Sequence, residues 1–497
     1  MRKFFVLLCM LPLAAQAQWS RLTQDISYRA SLTGTTGSSD VAPFWFTSNR
    51  YGLATSEPSS LLLRADIQRS AEADSLRKWR VGYGLSAATA VNFDSKFVLQ
   101  QLFADVQYKA IRLSMGMKER PMELKNQALS SGALTSGINA RPIPQIRLEL
   151  PEFWSVPGTK DWLALKAHIA YGAFTDNKWQ REHQGVNGHY AANVLYHSKA
   201  GFLKIGNESA FPLSLTGGLE MYTQFGGEAW NVDRRGDDTS DFDATHVKMG
   251  HGLSQFIDAT LMKGSDAADG DYKNASGNQL GSWHLRLDYT SKGWKAAAYA
   301  EHFFEDHSQL FWQYGWKDML YGLEIGLPSN RFLSGLVYEH LRTTDQSGSI
   351  YHDKTTFLPD QISGRDEYYN HGTYTGWHHA GMAMGTPLLV SPIYNGNHIY
   401  FLHNRITAHH IGLNGNPTSR LAWRILYTHE KSLGTYRFPL TDPQHADYLL
   451  AEVDYQPKQV PGLRIKASYG MNKGKLLGES HGAMLTVAYS GWMNHRK

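Results

Sequence analysis

Residues 283–290 change from apolar to polar one by one: Trp283, Leu285, Leu287 and Tyr289 alternate with His284, Arg286, Asp288 and Thr290. A period of two belongs to a strand with two unlike faces. Ser291, Lys292 and Gly293 break the pattern, and a second strand-like run over 294–304 follows, as in a tight antiparallel hairpin. Near the C-terminus Leu463, Ile465, Ala467 and Tyr469 alternate in the same way with Arg464, Lys466, Ser468 and Gly470. Ionic side chains within a strand need water on their side, while Trp, Leu, Ile and Tyr need an apolar medium on the other. A closed sheet with lipid outside and a polar lumen inside supplies both.

The N-terminus fits export. Arg2 and Lys3 precede an apolar run over 4–13, and Ala15-Gln16-Ala17 has the small-x-small form of a signal peptidase site, so a signal peptide over 1–17 and a mature start at Gln18 are expected. The single cysteine, Cys9, falls inside that segment, and Leu8 before it is too bulky for a lipoprotein site, so neither a disulfide nor a lipid anchor is expected. Beyond the signal there is no apolar run of about 18 residues, the length a membrane-spanning helix needs. A chain of this kind in a membrane must therefore be a barrel, because only helices and closed sheets satisfy every backbone group in lipid. The 49 basic and 45 acidic residues are spread along the chain without a basic patch, which sets nucleic acid aside. The aromatic content of 12%, with 26 Tyr and 14 Trp, suits interfacial girdles or carbohydrate stacking.

Nineteen candidate strands follow one another, among them 191–196, 202–206, 398–410 and 448–455. Bacterial barrels have even strand numbers, so about 18 are expected over 18–497. Short connections (109–110, 197–201, 291–293, 328–331, 412–419, 456–462) contrast with long ones (119–142, 174–190, 305–318, 342–397, 430–447), as periplasmic turns contrast with outer loops. Counting back from the C-terminus puts 342–397 outside. The alternation fades over 225–280. There, Phe242, Met249, Leu253, Phe256, Ile257 and Leu261 fall near helical spacing after Ser240-Asp241, which favours a helical insert over 240–262; a strand over 251–263 is the alternative.

Several stretches resemble the bacterial capsule assembly Wzi family: SGINARPIPQIRL (136–148), YHSKAGFLKIG (196–206), GNQLGS (277–282), HFFEDHSQLFW (302–312), KDMLYGLEIG (317–326), DQSG (345–348) and YYNHGTYTGWHHAGMAMGTPL (368–388). The resemblance implies an all-β membrane protein, an antiparallel outer-membrane barrel of about 18 strands closed on the periplasmic side by a small helical insert. It further implies a non-catalytic surface lectin that organises capsular polysaccharide in a Gram-negative outer membrane. The chain departs from many such barrels in ending on Trp492-Met493-Asn494-His495-Arg496-Lys497 instead of a terminal aromatic.

Candidate carbohydrate contacts come from two loops and one rigid turn. The 342–397 loop carries Arg365, Asp366, Tyr368, Tyr369, Tyr374 and Trp377, aromatic faces for sugar C–H groups interleaved with groups that bond hydroxyls. An inward-folded loop whose aromatics form a core of its own is the structural alternative. Trp312 and Trp316, at alternate positions with Tyr314, form a second candidate or an interfacial band. Asn139-Ala140-Arg141-Pro142-Ile143-Pro144 has two prolines that forbid a paired strand, so Arg141 is either presented to a sugar or bonded inside the fold.

Catalysis has little support. Residues of the adjacent pairs His378-His379 and His409-His410 point to opposite sides of an extended strand, a poor metal site, and neither metal nor cofactor is expected. Glu301 with Glu305 or Asp306 offers a carboxylate pairing without a known separation. The expected partners are surface polysaccharide and outer-membrane lipid, with the protein a monomer. The function expected is glycan binding; a porin-like channel for sugars or other small solutes is the alternative.

Overall fold

The alternating segments become strands that pair in chain order and close on themselves. A computed structural model describes residues 22–494 except 186–187, 233–244, 262–276, 306–316, 329, 331, 353–360 and 366. The signal segment expected over 1–17 lies outside the described residues. The first nine barrel strands are β1 (Ile26–Gly37), β2 (Ser60–Arg69), β3 (Trp79–Val91), β4 (Phe97–Tyr108), β5 (Ile111–Met117), β6 (Gln145–Ser155), β7 (Leu163–Ala173), β8 (Leu195–Ile205) and β9 (Leu213–Phe225). The second nine are β10 (Asn278–Ser291), β11 (Trp294–Glu305), β12 (Met319–Gly326), β13 (Gly335–Arg342), β14 (Ile406–Thr418), β15 (Leu421–Gly434), β16 (Pro439–Tyr455), β17 (Leu463–Gly474) and β18 (Ser480–Met493). Each pairs antiparallel with its chain neighbours in one 18-stranded sheet, and β1 closes the ring by pairing with both β2 and β18, from Ile26 opposite Met493 to Gly37 opposite Gly482. A closed sheet has no free edge.

The two faces divide as the alternation requires. Leu63, Leu285, Leu287 and Leu323 are 45–51% exposed on the outer face, whereas Glu220, Glu301 and Glu339 on neighbouring inward positions are buried. Trp79, Trp154, Trp162, Trp294, Tyr455 and Trp492 are exposed near the end that carries the short turns and both termini, a girdle at one membrane interface. The chain is an outer-membrane β-barrel of Gram-negative type, with its short turns in the periplasm and its long connections at the outer end.

Where the strands differ from the sequence reading, the cause is physical. Eighteen strands replace nineteen candidates because 195–205 is one strand, and Ala191 belongs to the separate strand Tyr190–Ala192. The segment 430–447, read as a long loop, is instead paired strand with a turn over 435–438: Lys431 lies opposite His445 and Ser432 opposite Gln444. These strands rise past the bilayer, where no apolar alternation is demanded of them. The strand placed at 398–410 runs over Ile406–Thr418.

Three helices are described: α1 (Phe44–Thr47), α2 (Asn177–Gln184) and α3 (Leu253–Leu261). The segment 251–263 is therefore helical over Leu253–Leu261, and strand Thr245–Lys248 precedes it in a small sheet with Glu228–Val232 and Tyr190–Ala192. A helical insert on the periplasmic side was expected; α3 instead belongs to the connection between β9 and β10 at the outer end. It lies against outward-facing residues of the wall: Phe256 packs on Tyr171 and Phe225, at ring distances of 5.3 and 5.0 Å, and Thr223 Oγ1 donates to the Ala259 carbonyl. No extra crossing is needed, because β9 and β10 pair directly, Leu213 opposite Tyr289.

Leu285→Arg, midway along β10 on the lipid face, is expected to destabilise the barrel by about 2–4 kcal/mol. Urea unfolding in lipid vesicles should show the lower midpoint, while Leu285→Met should leave it nearly unchanged.

Candidate functional site

Three long connections turn into the lumen from the outer end: 38–59, 118–144 and, in the third, 343–346 with 367–405. An inward backbone must find partners for every N–H and C=O group, and the wall provides them. In the first connection, α1 follows Pro43, Phe44 stacks on Tyr448 at 4.2 Å, and the Phe44 N–H donates to Asn472 Oδ1 at 2.8 Å. The second is bound by two wall carboxylates. Glu339 accepts from the Ser131 N–H at 2.7 Å and from the Ser130 hydroxyl at 2.7 Å, and Glu301 accepts from the Leu134 N–H at 2.7 Å. Lys125 Nζ, almost wholly buried, forms an ion pair with Glu301 at 2.9 Å. The third lies on the second: Trp377 Nε1 donates to the Thr135 carbonyl at 2.6 Å and Asn139 Nδ2 to the Ala383 carbonyl at 3.0 Å. Gly385 permits this approach, since a Cβ there would collide with the Leu134 carbonyl and the Tyr369 hydroxyl.

This architecture corrects the expectation that the 342–397 loop presents its aromatics to a glycan. Tyr368, Tyr369, Tyr374 and Trp377 are 0–2% exposed and form part of the core that fills the outer half of the lumen, with Phe44, Leu134, Phe303 and Phe401. The loop carries too many apolar groups to stay in water. The Tyr369 N–H donates to Glu305 Oε1 at 2.7 Å, and the Tyr369 hydroxyl donates to the Leu134 carbonyl. Glu301 and Glu305 are thus both engaged in holding the inward segments. Arg365 lies in strand Gln361–Arg365, paired with Ser347–His352. Asp366, Trp312, Trp316 and Asp306 lie outside the described residues. Arg141 is part-buried, and its Nε donates to the Gly52 carbonyl at 3.3 Å, the internal bonding weighed for it from sequence.

Arg141 also lines two cavities. The first is a cleft of about 940 Å³ at the outer rim, bounded by the β3–β4 turn (Asp94, Lys96), α2 (Lys178, Trp179, Glu182, His183), His379 and Asn397. Trp179 donates from Nε1 to Asp94 Oδ2 at 2.6 Å and stacks on His183 at 4.4 Å. Asp176 Oδ2 accepts from the Ala380 N–H at 2.8 Å, and His379 donates from Nδ1 to the Arg141 carbonyl at 3.0 Å, which leaves its Nε2 to accept from Thr175. The second cavity, about 200 Å³, lies along the inner wall toward the short-turn end. Cations and carboxylates face each other across it, with Lys166 to Glu123 and Arg147 to Glu149 both at 2.6 Å.

Asp94, Trp179 and His183 were not singled out from sequence. The available signal was an indole with an imidazole four residues later in the polar run NKWQREHQ, where neither ring has a core to enter.

Several histidines of the inward segments are held neutral. Burial pushes His378 down to about 4 against the raising effect of Asp176, and burial pushes His371 down to about 4 with His189 adding to it. The stability of these depressed groups is present above the ordinary value near 6.5 and is lost as pH falls through 4. Acidification from 6.5 to 4 is therefore expected to loosen the 367–405 segment. Limited proteolysis within it should accelerate about tenfold or more, and replacing His371 and His378 with Gln should flatten that profile.

No family model and no curated sequence matches the chain. Among solved structures it is similar to Wzi, an outer-membrane protein involved in group 1 capsule assembly in Escherichia coli and a carbohydrate-binding β-barrel, at 14% identity and a TM-score of 0.56 over 95% of this chain and 86% of that one. OccK5 (OpdH) of Pseudomonas aeruginosa matches at 9% identity and a TM-score of 0.47 over 94% of this chain and 98% of that one. OccD3 (OpdP) of the same species matches at 9% and 0.44 over 95% and 91%. The likeness to Wzi shows the fold, the closed outer-membrane barrel.

Proposed function

We propose that this barrel is a lectin-like protein that holds capsular or another surface polysaccharide at its outer cleft, as a monomer and without covalent chemistry. The observation that carries the reading is the cleft itself, an open concavity of about 940 Å³ at the rim of a barrel whose outer lumen is filled. Its wall combines the Trp179–His183 pair with Asp94, Lys96, Glu182 and Arg141. Aromatic faces accept sugar C–H groups, carboxylates accept hydrogen bonds from hydroxyls, and guanidinium and ammonium groups donate to uronate or hydroxyl oxygens. The sequence resemblance to the Wzi family points to the same ligand class. Purified protein should bind polysaccharide from the encapsulated parent strain in isothermal titration, and Trp179→Ala with Asp94→Ala should weaken it by about tenfold, equivalent to roughly 1.4 kcal/mol. Unchanged affinity in a variant that keeps heat-modifiable migration would refute the site.

A second reading, a channel for sugars or other small solutes, has one observation in its favour: Arg141 and Pro142 form a common wall between the outer cleft and the inner cavity. On that reading Arg141→Ala joins the two spaces and raises single-channel conductance in planar bilayers over a nearly silent wild type. Equal, negligible conductance in both proteins would remove it.

A further inference from the structure

The outward face of β13–β17 changes character at the same point on every strand. Going outward, β13 runs Leu336, Tyr338, His340, Arg342, and β14 runs Leu413, Ile411, His409. On β15 the order is Ile425, Tyr427, His429, Lys431; on β16 it is Ala451, Leu449, Asp447, His445. On β17, Tyr469 and Met471 give way to Lys473 and then Lys475 just past the strand end. The outward ends of β3 and β4 behave differently: Val91 and Phe97 there are 58% and 67% exposed and apolar. On β15–β17 the outward ends instead carry Lys431, Lys473 and Lys475, whereas the outward Lys199 of β8 donates to the Thr260 carbonyl and Lys317 before β12 pairs with Asp345 at 3.4 Å.

Pairing brings Lys431, Lys473 and Lys475 together. Lys431 lies opposite His445, whose carbonyl accepts from the Lys475 N–H, and Lys473 lies opposite Asp447. Paired outward side chains stand about 5 Å apart at Cβ. Asp447, the acid within the cluster, already accepts from the Tyr427 hydroxyl at 2.6 Å and faces His429 at 3.0 Å. Asp442, nearer the outer end of β16, and Glu479 of the adjoining β17–β18 turn are the other acids nearby, both exposed. Among the described residues no carboxylate forms a salt bridge with Lys431, Lys473 or Lys475, and all three are exposed.

We propose that this sector binds a membrane lipid with an anionic, phosphate-bearing headgroup. Lys431, Lys473 and Lys475 engage the phosphates, and Tyr427, Leu449 and Met471, a row of paired residues nearer the bilayer across β15–β17, pack its acyl chains. A free anion would use the cations alone. The continuous apolar wall beneath them is what selects a lipid, and this inference stands independently of the glycan reading.

The test is native mass spectrometry of detergent-purified protein titrated with dioleoyl phosphatidylglycerol, dioleoyl phosphatidylcholine or inorganic phosphate. Phosphatidylglycerol should bind about tenfold more tightly than phosphatidylcholine, and excess inorganic phosphate should not displace it. The triple variant Lys431→Ala, Lys473→Ala, Lys475→Ala should lose affinity by about a hundredfold, roughly a factor of five for each cation. Replacing the same three residues with Arg should retain binding, which separates charge from folding, and heat-modifiable migration reports the fold in each case. Equal binding by the Ala variant, equal binding of the two lipids, or displacement by inorganic phosphate would each overturn the proposal.

Discussion

Two buried wall carboxylates fix the interior of this barrel. Glu301 on β11 and Glu339 on β13 face the lumen, where water is scarce and an unpaired charge or backbone amide is costly. Each is satisfied by the same inward segment, Glu301 by the Leu134 N–H and Lys125 and Glu339 by Ser130 and Ser131, with the Tyr299 hydroxyl of the neighbouring wall strand adding a bond to Glu339 at 2.6 Å. Removing one partner of such a set strands the other in low dielectric, at about 3–5 kcal/mol. With 118–144 held at these points, the third segment has a surface to pack on through Trp377, Tyr369 and Asn139. The lumen is therefore filled in layers, with charge pairing at the wall and aromatic packing on top of it.

That order explains what the sequence disclosed and what it withheld. The wall was legible because lipid imposes a rule on every second residue, and Trp283, Leu285, Leu287 and Tyr289 obey it. The rule lapses where strands leave the bilayer, which is why Lys431, Ser432, Gln444 and His445 read as loop although they pair. It is equally silent about the direction a long connection takes. Tyr368, Tyr369, Tyr374 and Trp377 carry the same side chains whether they meet a sugar or a core. A distinguishing signal stood nearby, for Ala380, Met382, Met384, Leu388, Leu389 and Val390 form an apolar stretch that an exposed loop has no use for, and all are buried. Trp179 was passed over for the opposite reason: a lone indole among Lys, Arg, Glu and Gln leaves no periodicity to detect.

The outer surface is equally uneven. Over β7–β9 the insert carrying α3 covers outward positions, leaving Met221, Thr223 and Phe225 buried on the side that would otherwise meet lipid or headgroups. Leu253, Ile257 and Leu261 on the far side of α3 are 79%, 47% and 58% exposed, an apolar stripe at i, i+4 and i+8 turned away from the barrel. α3 thus adds an apolar strip to the outside of the wall instead of closing the lumen.

The cleft inherits its shape from these constraints. Its walls come from the β3–β4 turn, from the second and third inward segments and from α2, and each joint between them is a hydrogen bond: Trp179 to Asp94, Ala380 to Asp176, His379 to Arg141 and Thr175 to His379. A neutral His379 is required for this chain, since its Nδ1 donates while its Nε2 accepts, and burial keeps it neutral by lowering its proton affinity. The rim is thus held by internal bonds, and the binding proposed for it would not bear the cost of fixing a loop, which for a flexible lid would be about 0.5–1.5 kcal/mol for each immobilised side chain. A filled lumen in this barrel is accordingly the support that makes an open rim rigid.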